Sequence, residues 1–131
     1  MKILVLSDSH GNVSNMAAAV EQSAPRMIFH LGDCWRDAEK LLFVEDKRIL
    51  LCHGHTYGVK QSLLTAGYAA EEQNLDLFLF GHTHRPLVDR RGKTLFVNPG
   101  SIGDYRRPFY AVVTIVNGKL DGRTVPLERS W

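Results

Sequence analysis

The chain has 131 residues, the size of one ordinary globular domain, and we expect residues 1–131 to form a single domain. Hydrophobic residues make up 44% and charged residues 23% of the sequence, which excludes disordered and fibrous proteins. The formal net charge of +2 is too small to attract nucleic acid or a membrane surface through bulk charge alone.

Apolar segments in this sequence are short. The longest runs from Phe109 to Val116, whereas a membrane helix needs roughly 18 apolar residues or more. Ile3–Leu6 at the start is too short to be the apolar core of a secretory signal. We therefore expect a cytoplasmic protein with no membrane partner, in which Cys34 and Cys52 stay reduced.

The first part of the chain predicts a strand, a helix and a second strand. Ile3–Leu6 is a continuous apolar run, typical of a strand that is covered on both faces. Apolar residues recur at helical spacing between Ser14 and Ser23, and Pro25 ends this helix. Arg26–Leu31 predicts the second strand. This β-α-β order is typical of a parallel sheet.

Two alternatives remain open for the segment that follows Asp33. We favour a short helix from Trp35 to Leu42 that feeds a hairpin, but Leu41–Val44 could equally be a strand that turns at Asp46–Lys47. Three further elements are predicted downstream: a strand over Ile49–Cys52, an amphipathic helix over Val59–Asn74 and a strand over Leu75–Phe80.

The last third of the sequence predicts antiparallel strands. The expected parts are a turn at Arg90–Lys93, a strand over Thr94–Val97, a tight loop at Asn98–Ser101, and a hairpin of Tyr110–Val116 and Gly122–Leu127 joined at Asn117–Lys119. We therefore expect a layered α/β fold whose sheet begins with parallel strands and ends with antiparallel ones.

Aspartate, histidine and glycine residues follow four of the predicted strands, at the point where each strand ends. Ligands of open α/β sheets bind outside the carboxyl ends of the strands, so we expect these side chains to meet at one rim. All six histidines of the chain lie at or beside these strand ends. The candidate site residues are Asp8, His10, Asp33, His53, His55, His82 and His84.

Mixed carboxylate and imidazole side chains predict a transition-metal site. Such ligands suit Mn, Fe, Ni, Zn or Co, whereas Mg and Ca sites are built from oxygen atoms. One tetrahedral metal needs about four ligands, and this sequence offers more, which favours two metals that share a carboxylate. Since two neighbouring metals clamp a phosphate ester, hydrolysis of a phosphoester is the predicted reaction.

Five short blocks occur in order along nearly the whole chain. They are a D-x-H block in Leu6–Asn12, a G-D block in His30–Asp33, a G-H-type block in His53–His55, a G-H-x-H block in Gly81–His84, and the loop Asn98–Ser101. Together they resemble the calcineurin-like metallophosphoesterase superfamily, and most of all its small bacterial and archaeal phosphodiesterase branch.

That resemblance implies a four-layer α/β/β/α sandwich and a pair of divalent ions, Mn first and Ni, Fe, Zn or Co as alternatives. It implies that a metal-bridging hydroxide hydrolyses a small phosphate ester, above all a phosphodiester. The implied ligands are Asp8, His10, Asp33 and His84 for one metal, and Asp33, His53 and His82 for the other. Asp33 would thereby take part in catalysis, and His55 is the one nearby candidate for a general acid.

One block of that family is missing from this sequence. The family has a G-N-x-D or G-N-H-E motif between the equivalents of Asp33 and His53, and its Asn completes the second metal site. The nineteen residues between Asp33 and His53 include neither Asn nor Gly. We therefore expect a sandwich shortened by about a strand and a helix, with a weaker second site and an exposed edge strand that favours a homodimer. Substitutes for the lost ligand are Asp37, Asp46, Cys34 or a water.

A second functional hypothesis is a non-catalytic or weakly active binding or scaffold protein with the same fold. The missing Asn block favours this hypothesis, whereas the retained rim of histidines favours the enzyme. Asn12 and Asn98 are expected to brace loops, and His30 is expected to be structural. Arg85, Arg106 and Arg107 are candidates to contact a phosphate, although exposed arginines are more often solvated.

Overall fold

The computed structural model describes residues 1–32, 40–54, 57, 59 and 62–128. Within these residues, no helix is both long and apolar enough to cross a membrane. The elements in chain order are β1 (Lys2–Leu6), α1 (Val13–Ser23), β2 (Met27–His30), β3 (Lys40–Val44), β4 (Lys47–Leu51), α2 (Leu64–Glu72), β5 (Leu77–Leu79), β6 (Leu87–Arg91), β7 (Thr94–Asn98), β8 (Phe109–Val116) and β9 (Lys119–Pro126).

The described strands form two sheets, with the orders β2-β1-β8-β9 and β3-β4-β5-β7-β6. In the first sheet, β1 and β2 are parallel while β8 and β9 add antiparallel pairs. In the second sheet, β4, β5 and β7 are parallel and the two outer strands are antiparallel. The expectation of one sheet that begins parallel and ends antiparallel is therefore wrong, because β8 returns to pair with β1 and closes a separate sheet.

Alternate residues of the central strands point into different cores. Ile3 and Val5 of β1 face Ile49 and Leu77 of the second sheet in the core between the two sheets. On the outer face of the first sheet, Leu4, Leu6 and Val112 pack against Ala19 of α1. On the outer face of the second sheet, Leu50, Phe78 and Phe96 pack against Ala66 and Ala70 of α2. The order of layers is helix, sheet, sheet, helix, which confirms the predicted α/β/β/α sandwich.

The segment that precedes β4 folds as the strand alternative and not as the favoured helix. Residues Lys40–Val44 form β3, so a helix that continues to Leu42 is wrong; residues 35–39 lie outside the described residues. The turn residues Glu45 and Asp46 both have positive φ, 49° and 66°, which suits a two-residue hairpin between twisted strands. The inward side chains Leu42 and Val44 pack on the core between the sheets, and this packing stabilises the strand.

Two more elements differ from the sequence-based prediction. Helix α2 begins at Leu64 and not at Val59, and Val59 is buried in the turn that precedes the helix. Strand β6 was not predicted at all. Most of its residues are exposed and it pairs with β7 alone among the described strands, so it lacks the apolar pattern of a buried strand.

The predicted hairpin at the end of the chain is confirmed. Asn117 and Gly118 form its turn with φ values of 52° and 76°, as a two-residue turn between strands requires. Strand β9 begins at Lys119, three residues before the predicted Gly122, because the tight turn lets pairing with β8 start at once.

Candidate metal centre

The loops after β1, β4 and β5 meet at one end of the sandwich. The backbone N–H of Asp8 donates to the carbonyl of Gly32 at 3.0 Å, and that of Gly81 donates to the carbonyl of His53 at 2.8 Å. The first of these bonds joins two loops of the first sheet and the second joins two loops of the second sheet. The backbone N–H of His82, after β5, donates to Oδ2 of Asp8, after β1, at 3.3 Å. The strand-end residues of both sheets therefore lie at a common rim, as the sequence predicted for the described ones.

Asp8 lies at the centre of this rim and is only 1% exposed. Its Oδ2 accepts hydrogen bonds from the Ser7 hydroxyl at 2.7 Å and from the backbone N–H of His82 at 3.3 Å. Its Oδ1 lies 3.1 Å from Nε2 of His84 and 3.6 Å from Nε2 of His53. A buried carboxylate must be held by donors or cations, since its desolvation is otherwise too costly.

Four imidazole rings flank this carboxylate as two pairs. The rings of His10 and His84 are 5.3 Å apart between centroids, and those of His53 and His82 are 5.2 Å apart. One possible ligand atom from each of Asp8, His10 and His84 lies within 4.8 Å of the others. This set of one oxygen and two nitrogen donors fits a divalent transition metal.

Four of these residues have a backbone conformation that side chains with a Cβ rarely adopt. The φ angles of Asp8, His10, His82 and His84 are 52°, 48°, 68° and 61°. Each such residue costs of order 1–3 kcal/mol, and strained residues of this kind cluster at functional sites. Contacts with the rest of the fold therefore hold these four residues in a backbone conformation that they would not prefer by themselves.

The loop after β7 holds the backbone of Asp8 in place. The hydroxyl of Ser101 donates to the carbonyl of Asp8 at 2.7 Å, and the N–H of Gly103 donates to the same oxygen at 3.2 Å. Sequence reasoning missed the roles of Ser7 and Ser101, although both residues stand inside the recognised blocks. Small hydroxyl residues next to a candidate ligand are the signal that could have found them.

Asn98 and Asn12 brace loops, as the sequence predicted. The Asn98 amide donates to the Gly81 carbonyl at 3.1 Å and to the Thr83 hydroxyl at 2.8 Å, and its oxygen accepts from the N–H of Gly100 at 2.9 Å. Asn12 caps α1 by accepting from the N–H of Asn15 at 2.9 Å. Asn98 thus fixes the loop that carries His82 and His84.

We expect Asn98→Ala to lower the free energy of unfolding by about 1–3 kcal/mol, because the buried N–H of Gly100 loses its partner and the carbonyl of Gly81 keeps only the N–H of Thr83. Urea denaturation measures this loss. Thr83→Ala removes one of the three Asn98 hydrogen bonds and one from the exposed N–H of Arg85. It serves as the matched variant with a smaller loss, because the exposed N–H can bind water instead. Equal stability of Asn98→Ala and the unmodified chain would contradict the bracing role.

Other predicted site residues differ in where the structure places them. Asp33, His55, Cys34 and Asp37 lie outside the described residues. Asp46 is wrong as a substitute ligand, because it precedes β4 whereas His53 follows it, and a five-residue strand spans about 17 Å.

Two residues beside the centre have structural contacts. The His30 ring lies 3.1 Å from the Ser9 hydroxyl through Nε2 and accepts from the N–H of Gly32 through Nδ1 at 3.0 Å. The Cys52 side chain is buried, with its thiol donating to the Leu79 carbonyl at 3.8 Å. Cys52 packs in the apolar cluster under α2.

The loop after Ser101 carries Asp104, a carboxylate with a perturbed pKa. The backbone N–H of Arg107, and after it that of Arg106, holds the pKa of Asp104 below its ordinary value, against the effect of partial burial. The charge of His84 acts in the same direction. Both N–H groups donate to Asp104 Oδ1 at 2.8 Å, so ionised Asp104 holds the turn that carries Arg106 and Arg107.

We expect ionised Asp104 to stabilise the folded chain, because its pKa is lower in the folded chain than in the unfolded one. This stabilisation is fully present above the unfolded pKa and is lost as the pH falls through the folded pKa. Asp104→Asn should therefore be less stable than the unmodified chain near neutral pH, and the difference should shrink in acid. Urea denaturation of both chains along a pH series measures it; a pH-independent difference would contradict this role.

Comparison with known proteins identifies the family of this chain. A family model of the calcineurin-like phosphoesterase superfamily domain matches residues 36–118. The probable metallophosphoesterase YsnB of Bacillus subtilis is 34% identical over 147 residues, which cover 89% of this chain and 86% of YsnB. The phosphodiesterase YfcE of Escherichia coli K12 is 28% identical over 101 residues, 68% of this chain and 51% of YfcE. The alignment with YsnB is longer than this chain, so YsnB has residues for which the chain has no counterpart.

Solved structures agree with this family in fold. A conserved protein of Streptococcus pneumoniae TIGR4, described as a predicted phosphoesterase, has a TM-score of 0.79 at 25% identity and covers 95% of this chain and 88% of its own. An archaeal phosphodiesterase has a TM-score of 0.75 at 17% identity and covers 95% of this chain and all of its own (100%). The Zn-complexed Vps29 of Entamoeba histolytica shares the fold with a TM-score of 0.63 at 15% identity, covering 98% and 100%. With a family model over most of its length and a relative matched almost end to end, the chain belongs to the calcineurin-like phosphoesterase superfamily.

Proposed function

We propose that the protein is a metal-dependent phosphoesterase that hydrolyses small phosphodiesters at a dinuclear centre around Asp8. The observation that carries this proposal is the buried Asp8 carboxylate with one ring of each imidazole pair, His84 and His53, next to its Oδ1. One pair, His10 and His84, would serve one ion together with Asp8. The other pair, His53 and His82, would serve the second ion.

The proposed ligand set extends to residues outside the described part of the chain. Asp33 would bridge the two ions, and His55 would be the proton donor to the leaving group. Manganese is the first choice and Ni, Fe, Zn and Co are alternatives, because the described donors are a carboxylate oxygen and imidazole nitrogens. Bound divalent ions would polarise the phosphate and activate the attacking water.

The exposure of the ligands indicates the side from which a substrate would enter. The side chain of His53 is 4% exposed and that of Asp8 is 2% exposed, whereas that of His84 is 44% exposed. His10 is also exposed. The carboxylate and His53 therefore form the floor of the centre, and His10 and His84 form its solvent side. A phosphodiester would approach over these two rings.

Hydrogen bonds from the chain hold the floor of the centre. Four donors of the chain fix Asp8. The Ser7 hydroxyl and the His82 N–H donate to its Oδ2, and the Ser101 hydroxyl and the Gly103 N–H donate to its backbone carbonyl. Preorganised groups of this kind cost no reorganisation when charge develops in the transition state. We infer that Asp8 orients the centre before a substrate binds.

Hydrolysis of bis(4-nitrophenyl) phosphate tests the proposal. The metal-stripped protein should be inactive, and Mn, Ni, Co or Zn should raise the rate by about 100-fold or more, because bound metal supplies the activation of water. Asp89→Asn, which alters an exposed carboxylate paired with Arg91, is the matched control and should keep full activity.

Absence of hydrolysis with all four metals would overturn the enzyme and favour the alternative, a non-catalytic binding or scaffold protein. Activity that survives chelation would overturn the role of the metal. A faster reaction with 4-nitrophenyl phosphate than with the diester would overturn the preference for phosphodiesters. The cytoplasmic location and the single domain over residues 1–131 stay predictions.

A further inference from the structure

Strand β3 is the outer strand of the five-stranded sheet within the part of the chain that the structure describes, where it pairs with β4 alone. Two of its apolar side chains face solvent: Leu41 is 44% exposed and Phe43 is 63% exposed. An apolar edge strand is a template for pairing with another chain. The opposite edge of this sheet, β6, has a charged run, Asp89–Arg91, of the kind that blocks such pairing.

The backbone groups of Leu41 and Phe43 point to the open edge. The turn of Glu45 and Asp46 is a two-residue turn, so Val44 and Lys47 close the hairpin as a hydrogen-bonded pair. Hydrogen-bonded and non-hydrogen-bonded pairs alternate along an antiparallel ladder. Counting back from Val44, the N–H and C=O groups of Leu41 and Phe43 therefore turn away from β4.

This edge is complementary to itself. When a second copy of β3 runs antiparallel about a two-fold axis at Leu42, Leu41 lies opposite Phe43 of the second copy, and Phe43 opposite its Leu41. These are the residues whose backbone groups point outward, so they exchange hydrogen bonds. Their exposed side chains lie on the same face of the sheet, where directly opposite apolar residues pack.

Charges at the two ends of the hairpin fit the same register. Lys40 begins β3 and Asp46 lies just beyond its end. In the antiparallel pair, Lys40 lies opposite Val44 of the second copy, next to the acidic turn Glu45–Asp46 that follows it. The two-fold axis repeats this pair of opposite charges, and the arrangement places no like charges of the described residues directly opposite each other.

We propose that β3 is the interface for a second copy of this chain, so that the two five-stranded sheets join into one continuous sheet. We choose a second copy as the partner because one register gives both strands backbone hydrogen bonds, apolar packing and opposite charges near each other. Five residues of strand span only about 17 Å, and interfaces this small give reversible association. The proposal does not depend on the proposed enzymatic activity.

Sedimentation equilibrium of the full chain, from about 1 to about 200 µM, tests this interface, since a small interface gives a concentration-dependent mass. The mass should rise from one chain toward two. Phe43→Lys places a charge at the centre of the interface and should weaken dimerisation at least 10-fold. Val116→Lys makes the same change at a similarly exposed residue, 59% against 63%, and should leave dimerisation unchanged.

Leu41→Pro is a second variant that should leave the hairpin intact. It removes an N–H that points to the open edge and not to β4, a place where a strand tolerates proline. Circular dichroism should show both variants folded, and hydrogen exchange of Leu41 and Phe43 should slow only at dimer-forming concentrations. A mass of one chain at every concentration, or dimers of Phe43→Lys and Leu41→Pro as stable as the unmodified one, would overturn the proposal.

Discussion

Asp8→Asn is expected to remove the metal ion that Asp8 would share with His10 and His84, and to lower kcat/KM for phosphodiester hydrolysis by about 1000-fold, which corresponds to about 4 kcal/mol of transition-state stabilisation. The asparagine has the same shape as aspartate but lacks its charge. Its oxygen can still accept from the Ser7 hydroxyl and the His82 N–H. Its amide group then faces His53 and His84, where a carboxylate oxygen would bind a metal.

Calorimetric titration with Mn and steady-state kinetics measure the two parts of this prediction. Circular dichroism and thermal unfolding of the metal-free variant show whether the fold persists, as the retained hydrogen bonds lead us to expect. Asp89→Asn is the control for the loss of one acidic charge. Metal affinity and kcat/KM within 3-fold of the unmodified chain would show that Asp8 is not a ligand.

Gly81→Ala is expected to destabilise the fold by about 3 kcal/mol, since overpacking a buried site costs 1–3 kcal/mol and at times more. A Cβ on Gly81 would lie 2.0 Å from the Ser7 hydroxyl oxygen and 2.9 Å from Asp8 Oδ2. Both atoms are buried and hydrogen-bonded to each other. The methyl group therefore has to push apart the bond that orients Asp8, and metal affinity should fall together with stability.

Gly67→Ala is the matched control for this substitution. Gly67 lies in α2, and a Cβ there meets nothing within 4 Å. Alanine in a helix is favoured over glycine by about 0.5–1 kcal/mol, so Gly67→Ala should be slightly more stable. Urea denaturation of the two variants gives both values, and the double variant with Ser7→Ala should recover part of the loss. A Gly81→Ala chain as stable as Gly67→Ala would contradict the close packing at the centre.

The sequence predicted the rim of the site because its signal is local. Each candidate ligand follows a short apolar run, and the end of a buried strand is visible in the residues themselves. Asp8 follows Ile3–Leu6 within two residues, and His82 follows Leu75–Phe80 in the same way. The four-layer architecture came from the resemblance of the ordered blocks to a family, and the observed layers confirm it.

Contacts between distant residues were beyond the reach of local patterns. The pairing of Asp8 with His84 joins residues 76 positions apart, and the Ser101 hydroxyl reaches the Asp8 carbonyl across 93 positions. Strand β6 was missed because its partner β7 holds it in place while its own side chains are exposed. The sequence of Lys40–Val44 is compatible with both a helix and a strand. The strand forms because it packs Leu42 and Val44 against the core between the sheets.

The number of metal ions per chain tests the dinuclear centre most directly. The protein would be stripped of metal, loaded with excess Mn by equilibrium dialysis and measured by elemental analysis against protein concentration. We expect two ions per chain at saturation, the second bound more weakly because the family's Asn block is missing from the sequence, and the ion of the His10 and His84 pair lost in Asp8→Asn. One ion per chain, or none, would contradict a dinuclear centre around Asp8.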